Sequence, residues 1–118
     1  MLEREFENVC IEEMATANKN KAYYPIETEE TQDGFPDAIE VDKNLSKCGF
    51  LEFKVSDERG KIKFRKSQPI FYKKNYFLNI DIVAFDSRDG SVHRFPVSSL
   101  FDTKDKHFLN LENRTVQL

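Results

Sequence analysis

The sequence predicts an α/β domain in which a mixed β-sheet is flanked by helices, in the order α-β-β-β-α-β-β. Three observations predict it. Apolar residues recur at helical spacing near the N-terminus, short β-rich segments bounded by turn residues follow, and the apolar run "IVAF" at 82–85 reads as a central strand. Eleven Phe and four Tyr among 118 residues supply a core large enough for one domain.

Leu2, Phe6, Val9, Cys10 and Met14 share one helical stripe among Glu3, Arg4, Glu5, Glu7, Glu12 and Glu13, which predicts an amphipathic first helix ending near "ANKNK". Tyr23 to Ile26 suit a short strand, and "ETEETQDG" after it reads as a flexible polar loop stopped by Gly34. "PDAIEV" and "GFLEFKV" form a strand pair joined through "DKNLSKC". Alternation then sends Leu51, Phe53 and Val55 to one face for burial, while Phe50, Glu52 and Lys54 share the other, from which the acid and the lysine emerge together. "SDERGKIK" reads as a basic loop, and "FRKSQPIFYKKNY" as a second helix starting near Ser67 or Pro69. "FLNIDIVAF" is the central strand, "DSRDG" a turn, and "SVHRFPV" the returning strand, where Pro96 is tolerable only at an edge or bulge. The tail "HFLNLENRTVQL" adds one short strand.

Several function classes are excluded. The apolar runs fall far short of the roughly 20 residues of a membrane span, and "MLEREFENV" is charged where a signal peptide is apolar, so a soluble, intracellular protein with no membrane partner is expected. Cys10 and Cys48 are too isolated for a disulfide framework or a zinc site and are expected as buried free thiols. His93 and His107 lack ligand spacing and read as structural or solvated, and Ser67 has no base pattern beside it.

The net charge of −3 hides an asymmetry: residues 1–58 carry fifteen acids against six Lys/Arg, a balance of −9, whereas residues 59–118 carry six against twelve, a balance of +6. From Arg59 to Lys74 there is no carboxylate, and Arg59, Lys61, Lys63, Arg65, Lys66, Lys73 and Lys74 make a patch suited to a polyanion. Lys61, Lys63, Arg65 and Lys66 are expected to contact phosphates, which confers affinity rather than sequence choice.

Asp37 and the pair Glu52/Lys54 lie on neighbouring strands. Phosphodiester hydrolysis needs an activated water and charge relief at phosphorus, and carboxylates holding Mg²⁺ supply both. Asp37 and Glu52 are the candidate metal ligands, the Phe53 carbonyl is a natural third, and Lys54 would orient or deprotonate the attacking water or stabilise developing charge. Mn²⁺ would substitute for Mg²⁺ at such a site.

Pro36-Asp37, then "EFK" at 52–54, resembles the signature of the PD-(D/E)XK nuclease superfamily, whose restriction-endonuclease-like core is a mixed sheet with flanking helices in this order. The nearest resemblance, over about residues 2–86, is to the archaeal Holliday-junction resolvases and the VRR-NUC nucleases. It implies a metal-associated Glu near the start of the first helix, offered by Glu3 or one turn later by Glu7, a Gly before the "PD" at Gly34, and a helical Gln at Gln68 that supports Lys54 or the scissile phosphate. Tyr72 follows Gln68 at a spacing similar to the QxxxY element of some exonucleases, which implies that both line the DNA-facing side. Phe35 and Pro69 depart from the pattern. The resemblance implies a Mg²⁺-dependent deoxyribonuclease, and the short chain favours branched, junction or flap DNA over a defined sequence. It also implies a homodimer acting in the cytoplasm of a prokaryotic cell or phage-infected host. The alternatives are a catalytically silent nucleic-acid- or protein-binding module on the same fold, and an RNA endonuclease with the same site.

Overall fold

The computed structural model describes residues 1–26, 34–102 and 108–110. The acidic loop expected over residues 27–33, with Glu27, Glu29, Glu30 and Asp33, lies outside them, as do His107 and most of the tail.

The first helix, α1, covers Glu3–Ala17, and its first turn carries Glu3 and Glu5, whose charges favour the positive end of the helix dipole. Phe6 and Cys10 are its buried residues. Strands β1 (Lys21–Pro25), β2 (Ala38–Asp42) and β3 (Lys47–Val55) follow as an antiparallel meander. β3 starts earlier than the sequence suggested, so the β2–β3 connection shrinks to residues 43–46 and turns at Ser46 with φ 52°.

"KIK" corrects one expectation. Lys61–Lys63 is a strand, β4, with Ile62 buried between two exposed lysines, and not simply a loop. The second helix, α2, covers Ser67–Lys74. Pro69 sits in its first turn, where a backbone N–H has no helical partner to lose, so the ring costs the helix nothing there. Strand β5 (Ile80–Phe85) runs parallel to β3, β6 (Val92–Pro96) returns antiparallel, and an unforeseen 3₁₀ turn covers Val97–Asp102. A final strand, β7 (Phe108–Asn110), pairs antiparallel with β4.

The main sheet has the order β1-β2-β3-β5-β6, parallel only at its centre, with β4 and β7 as a separate two-stranded sheet. Since a parallel pair needs a crossover, β4 and α2 form it and lie over one face. Pro96 ends β6 at the sheet edge, where its missing N–H is tolerated.

Each face buries its own core. Under α1, Phe6 and Cys10 pack on Ala38, Leu51, Phe53 and Val83, with the Phe6 ring edge-on to Phe53 at 6.0 Å. Under α2, Ile62, Phe64, Phe71 and Tyr72 pack on Ile80, Ile82, Ala84 and Phe95. Phe35 meets Phe50 and Phe71 edge-on at 5.7 and 5.4 Å, so its bulk is absorbed by this second core. Arg94 bridges strands that are not neighbours, donating to both oxygens of Glu40 on β2 at 2.9 and 2.7 Å and to Asp81 on β5 at 2.9 Å. Cys10 is buried as expected and free, whereas Cys48 is free but exposed, because it lies on the outer half of the β2–β3 hairpin. His93 is a buried structural residue whose Nε2 lies 2.8 Å from the Ser91 hydroxyl.

Candidate active site

The centre of the site is a break in hydrogen bonding along one edge of β3. Phe50 N–H donates to the Asn79 carbonyl at 2.7 Å and Ser56 N–H to the Phe85 carbonyl at 2.9 Å, so the backbone groups of Phe50, Glu52, Lys54 and Ser56 serve β5. Those of Leu51, Phe53 and Val55 face the opposite way, toward β2. The Leu51 carbonyl still accepts from Asp37 N–H at 2.9 Å, but β2 begins only at Ala38 and no strand among the described residues continues the ladder. Side chains replace it. Phe53 N–H donates to Asp37 Oδ2 at 2.8 Å, and Val55 N–H to Glu3 Oε2 at 3.3 Å. Strand geometry puts the Phe53 carbonyl on the same edge, between the two acids.

Glu52 and Lys54 occupy the α2 face, as alternation required, but they do not emerge. Each is 4% exposed. α2 covers them and Gln68, itself buried, links them: Lys54 Nζ donates to Gln68 Oε1 at 2.9 Å, and Gln68 Nε2 donates to Glu52 Oε2 at 3.1 Å. Gln68 Oε1 also accepts from Arg65 N–H at 2.9 Å, which ties the amide to the entrance of the helix. Lys54 Nζ lies 3.9 Å from Glu52 Oε2 and 5.1 Å from the centre of the Phe64 ring, whose face favours a cation.

Burial pushes the Glu52 carboxyl well above the usual carboxylate range, and the negative charge of Asp37 adds to the rise. Lys54 opposes it, while a hydrogen bond shared with Asp37 and the charge of Glu3 raise it further. Glu52 Oε1 is buried and meets no donor among the described residues. Neighbouring carboxyls can share a proton but make no bond once both are ionised, so an unpartnered oxygen and a raised carboxyl go together. Glu7 is half-buried, and burial, then the charge of Asp37, push it up to about 7 against the pull of Arg4. Both first-helix acids therefore feel this centre: Glu3 faces the β3 edge and Glu52, and Glu7 faces Asp37.

The donor set is hard oxygen throughout, with one buried carboxylate oxygen lacking a partner, and this fits Mg²⁺. Among the described residues no three His, Cys, Asp or Glu side chains close on one point. The arrangement is thus a two-carboxylate centre, Asp37 and Glu52, with the Phe53 carbonyl and Glu3 along the same edge. Mg²⁺ commonly takes one or two carboxylates and keeps its remaining waters.

Gly34 packs closely against α2. Its φ is +92°, and a Cβ there would lie 2.7 Å from the Ser67 carbonyl oxygen and 2.9 Å from Phe71 Cβ, so only glycine lets this backbone pass beneath α2. A depression of about 450 Å³ opens beside the edge, lined by Glu3, Val55, Ser56, Lys61 and Lys63 among others. The lysines of β4 therefore line it, together with the acids Glu3 and Asp57. Arg59, Arg65, Lys66 and Lys73 are exposed as expected. Tyr72 is not. It is fully buried, with a hydroxyl that has no partner among the described residues and is pushed to higher pKa by burial and then by the charges of Glu52 and Asp37. Tyr72 and Gln68 do share a helix face, but that face looks into the core rather than outward. The sequence reading also missed the Arg65 backbone N–H as a partner of Gln68, which no side-chain pattern announces.

The sequence matches no known family model, and no curated protein sequence resembles it at a significant level. The fold is nevertheless known. The chain superposes on Hjc of Archaeoglobus fulgidus, a Holliday junction resolvase from an archaeal hyperthermophile, with a TM-score of 0.66 and 13% identity over 92% of this chain and 88% of that one. The architecture is thus the restriction-endonuclease-like mixed sheet that Hjc also adopts.

Proposed function

We propose that this chain is a metal-dependent nuclease that hydrolyses DNA phosphodiester bonds, selecting branched, junction or flap structures rather than sequence. The observation that carries the reading is the interrupted edge of β3, where Asp37, Glu3 and the Phe53 carbonyl gather beside the partnerless oxygen of Glu52. The fold shared with a Holliday junction resolvase supports the junction preference. The likeness to VRR-NUC nucleases rests on sequence spacing alone.

In this reading Asp37, Glu52, the Phe53 carbonyl and Glu3 would hold Mg²⁺, with Mn²⁺ as a substitute. The ion would supply charge relief at the scissile phosphate and acidify a water. Lys54, held by Gln68 with its ammonium beside Glu52, orients the attacking water and offsets charge that develops on the phosphate oxygens. Gln68 is a positioning residue for Lys54. Lys61 and Lys63, which line the depression, hold the backbone phosphates. A homodimer would present two such centres to two strands, and a junction has two strands to cut. No helix among the described residues is long and apolar enough to cross a membrane, and the cytoplasm of a prokaryotic cell or phage-infected host is the proposed setting.

Among the described residues no three acidic, His or Cys side chains close on one point, and this favours a second reading, a silent binding module on the same fold. One experiment separates the two: incubation of the protein with junction, flap and linear DNA in Mg²⁺ or Mn²⁺, beside Asp37→Asn and Lys54→Ala. Metal-dependent cleavage lost in both variants supports the nuclease. Binding with no turnover in any of the three supports the module, and equal cleavage by all three marks a contaminant.

A further inference from the structure

We propose that Tyr76 and Phe77 form a stacking platform for unpaired nucleotide bases, with Lys73 and Lys74 holding the adjacent phosphates. The inference rests on the nuclease reading and deepens it, because it names locally single-stranded nucleic acid as the form of substrate that this face accepts.

Tyr76 is 81% exposed and Phe77 71%, the two most exposed large apolar side chains among the described residues. They are adjacent in sequence and meet edge-to-face at 5.9 Å, so the edge of one ring rests on one face of the other and the remaining faces stay open. Exposed aromatics cost solvation and find use where a flat π-surface will be covered. Lys73 and Lys74 close the last turn of α2, separated from the pair only by Asn75, and are exposed. Ile70, one turn before the two lysines on α2, is also exposed, at 67%. α2 has eight residues, a length of about 12 Å. Gln68 lies at its other end, so the platform stands a few nucleotides from the candidate centre.

Charge decides between occupants. No carboxylate occurs from Arg59 through Ile80, a stretch that carries seven Lys and Arg. A second copy docking by two-fold symmetry would set the same patch against itself and bring Lys73 and Lys74 onto their own counterparts. A polyanion with exposed bases meets both features at once, since aromatic stacking is sequence-tolerant and lysines follow the backbone.

The test is equilibrium binding by fluorescence anisotropy in EDTA, where no cleavage occurs. The probes are an oligothymidylate of about twelve nucleotides, within the usual site size, and an abasic oligomer of equal length and charge. The wild type should bind the base-bearing strand about tenfold tighter or more. Tyr76→Ala/Phe77→Ala should fall to the abasic affinity, Tyr76→Phe should keep the preference, and Lys73→Ala/Lys74→Ala should weaken both probes alike. Equal binding of the two probes by the wild type, or a preference that survives the double alanine change, overturns the proposal. So does a dimer in sedimentation that the same change converts to monomer, because the pair is then an interface. Base preference without metal-dependent cleavage sinks the nuclease reading alone, and cleavage without base preference sinks the platform alone.

Discussion

Lys54 Nζ donates to Gln68 at 2.9 Å yet stands 3.9 Å from Glu52, so the ammonium is tied to an amide more closely than to the carboxylate beside it. Gln68 thereby holds acid and base apart while bonding to both. Both contacts fall on Glu52 Oε2, and the other oxygen, Oε1, meets no donor among the described residues.

Removing that spacer should cost both stability and activity. Gln68→Ala strands the buried Lys54 ammonium, the buried Glu52 carboxyl and a backbone N–H, a loss on the order of 3 kcal/mol. Thermal unfolding should drop by several degrees and DNA cleavage should fall sharply. An unchanged melting temperature would mean that Gln68 carries none of this load.

Acid–base behaviour follows from Glu7 and Glu52, whose carboxyls are both raised in the folded protein. A raised carboxyl binds its proton more tightly when folded than when unfolded, so its contribution to stability is complete below the unfolded value and disappears as pH climbs through the folded one. For Glu7 that window runs from about 4.5 to about 7. Melting temperature should therefore decline from pH 5 to pH 7.5 in the wild type and decline less in Glu7→Gln. A wild-type profile no steeper than that of the variant contradicts the burial of Glu7 against Asp37.

Divalent metal should reverse the same penalty. Mg²⁺ or Mn²⁺ competes with the proton on Glu52, so the melting temperature should rise on adding metal, more at pH 8 than at pH 6. EDTA should abolish the rise. Asp37→Asn and Glu52→Gln should lack it, and a full shift in either would remove that residue from the ligand set.

Phosphate contact at the basic strand is open to salt titration. Lys63→Ala/Lys66→Ala should weaken DNA binding equally for all sequences and reduce the slope of log K against log salt by about 1.8, at roughly 0.9 per contact. A slope unchanged within error would place the backbone elsewhere on the protein.

Gly34→Ala should be destabilising, since the new methyl meets the Ser67 carbonyl at 2.7 Å and the residue sits at positive φ. α2 must shift to make room, and Gln68 shifts with it. Cleavage should therefore fall further than stability alone would explain, measured as residual activity at a temperature where the variant is fully folded.

Much of the site was legible because it depends on local period. Two-residue alternation is enough to put Glu52 and Lys54 on one face, and adjacency of strands brings Asp37 to them. The burial of that face was not legible, because it depends on α2 docking through Phe64, Phe71 and Tyr72, contacts that no local pattern encodes. Tyr72 shows the same limit: a four-residue spacing says that it shares a side with Gln68 but not which way the side looks. β4 escaped because three residues with two lysines carry no strand signal, and Lys61 finds its partner only at Asn110. Glu3 and Asp37 as acceptors for β3 backbone groups required knowing where β2 stops, and boundaries are the weakest part of a sequence reading.

The break in the β3 ladder has a further consequence, for how this protein can be handled. Two N–H groups that would otherwise advertise a bare strand edge are plugged by carboxylates from Asp37 and Glu3. Stripping both acids to alanine would silence the centre and at the same time uncover a template onto which another chain can add a strand. Asparagine and glutamine keep an oxygen in place over each group, so amide variants should stay dispersed where alanine variants clump.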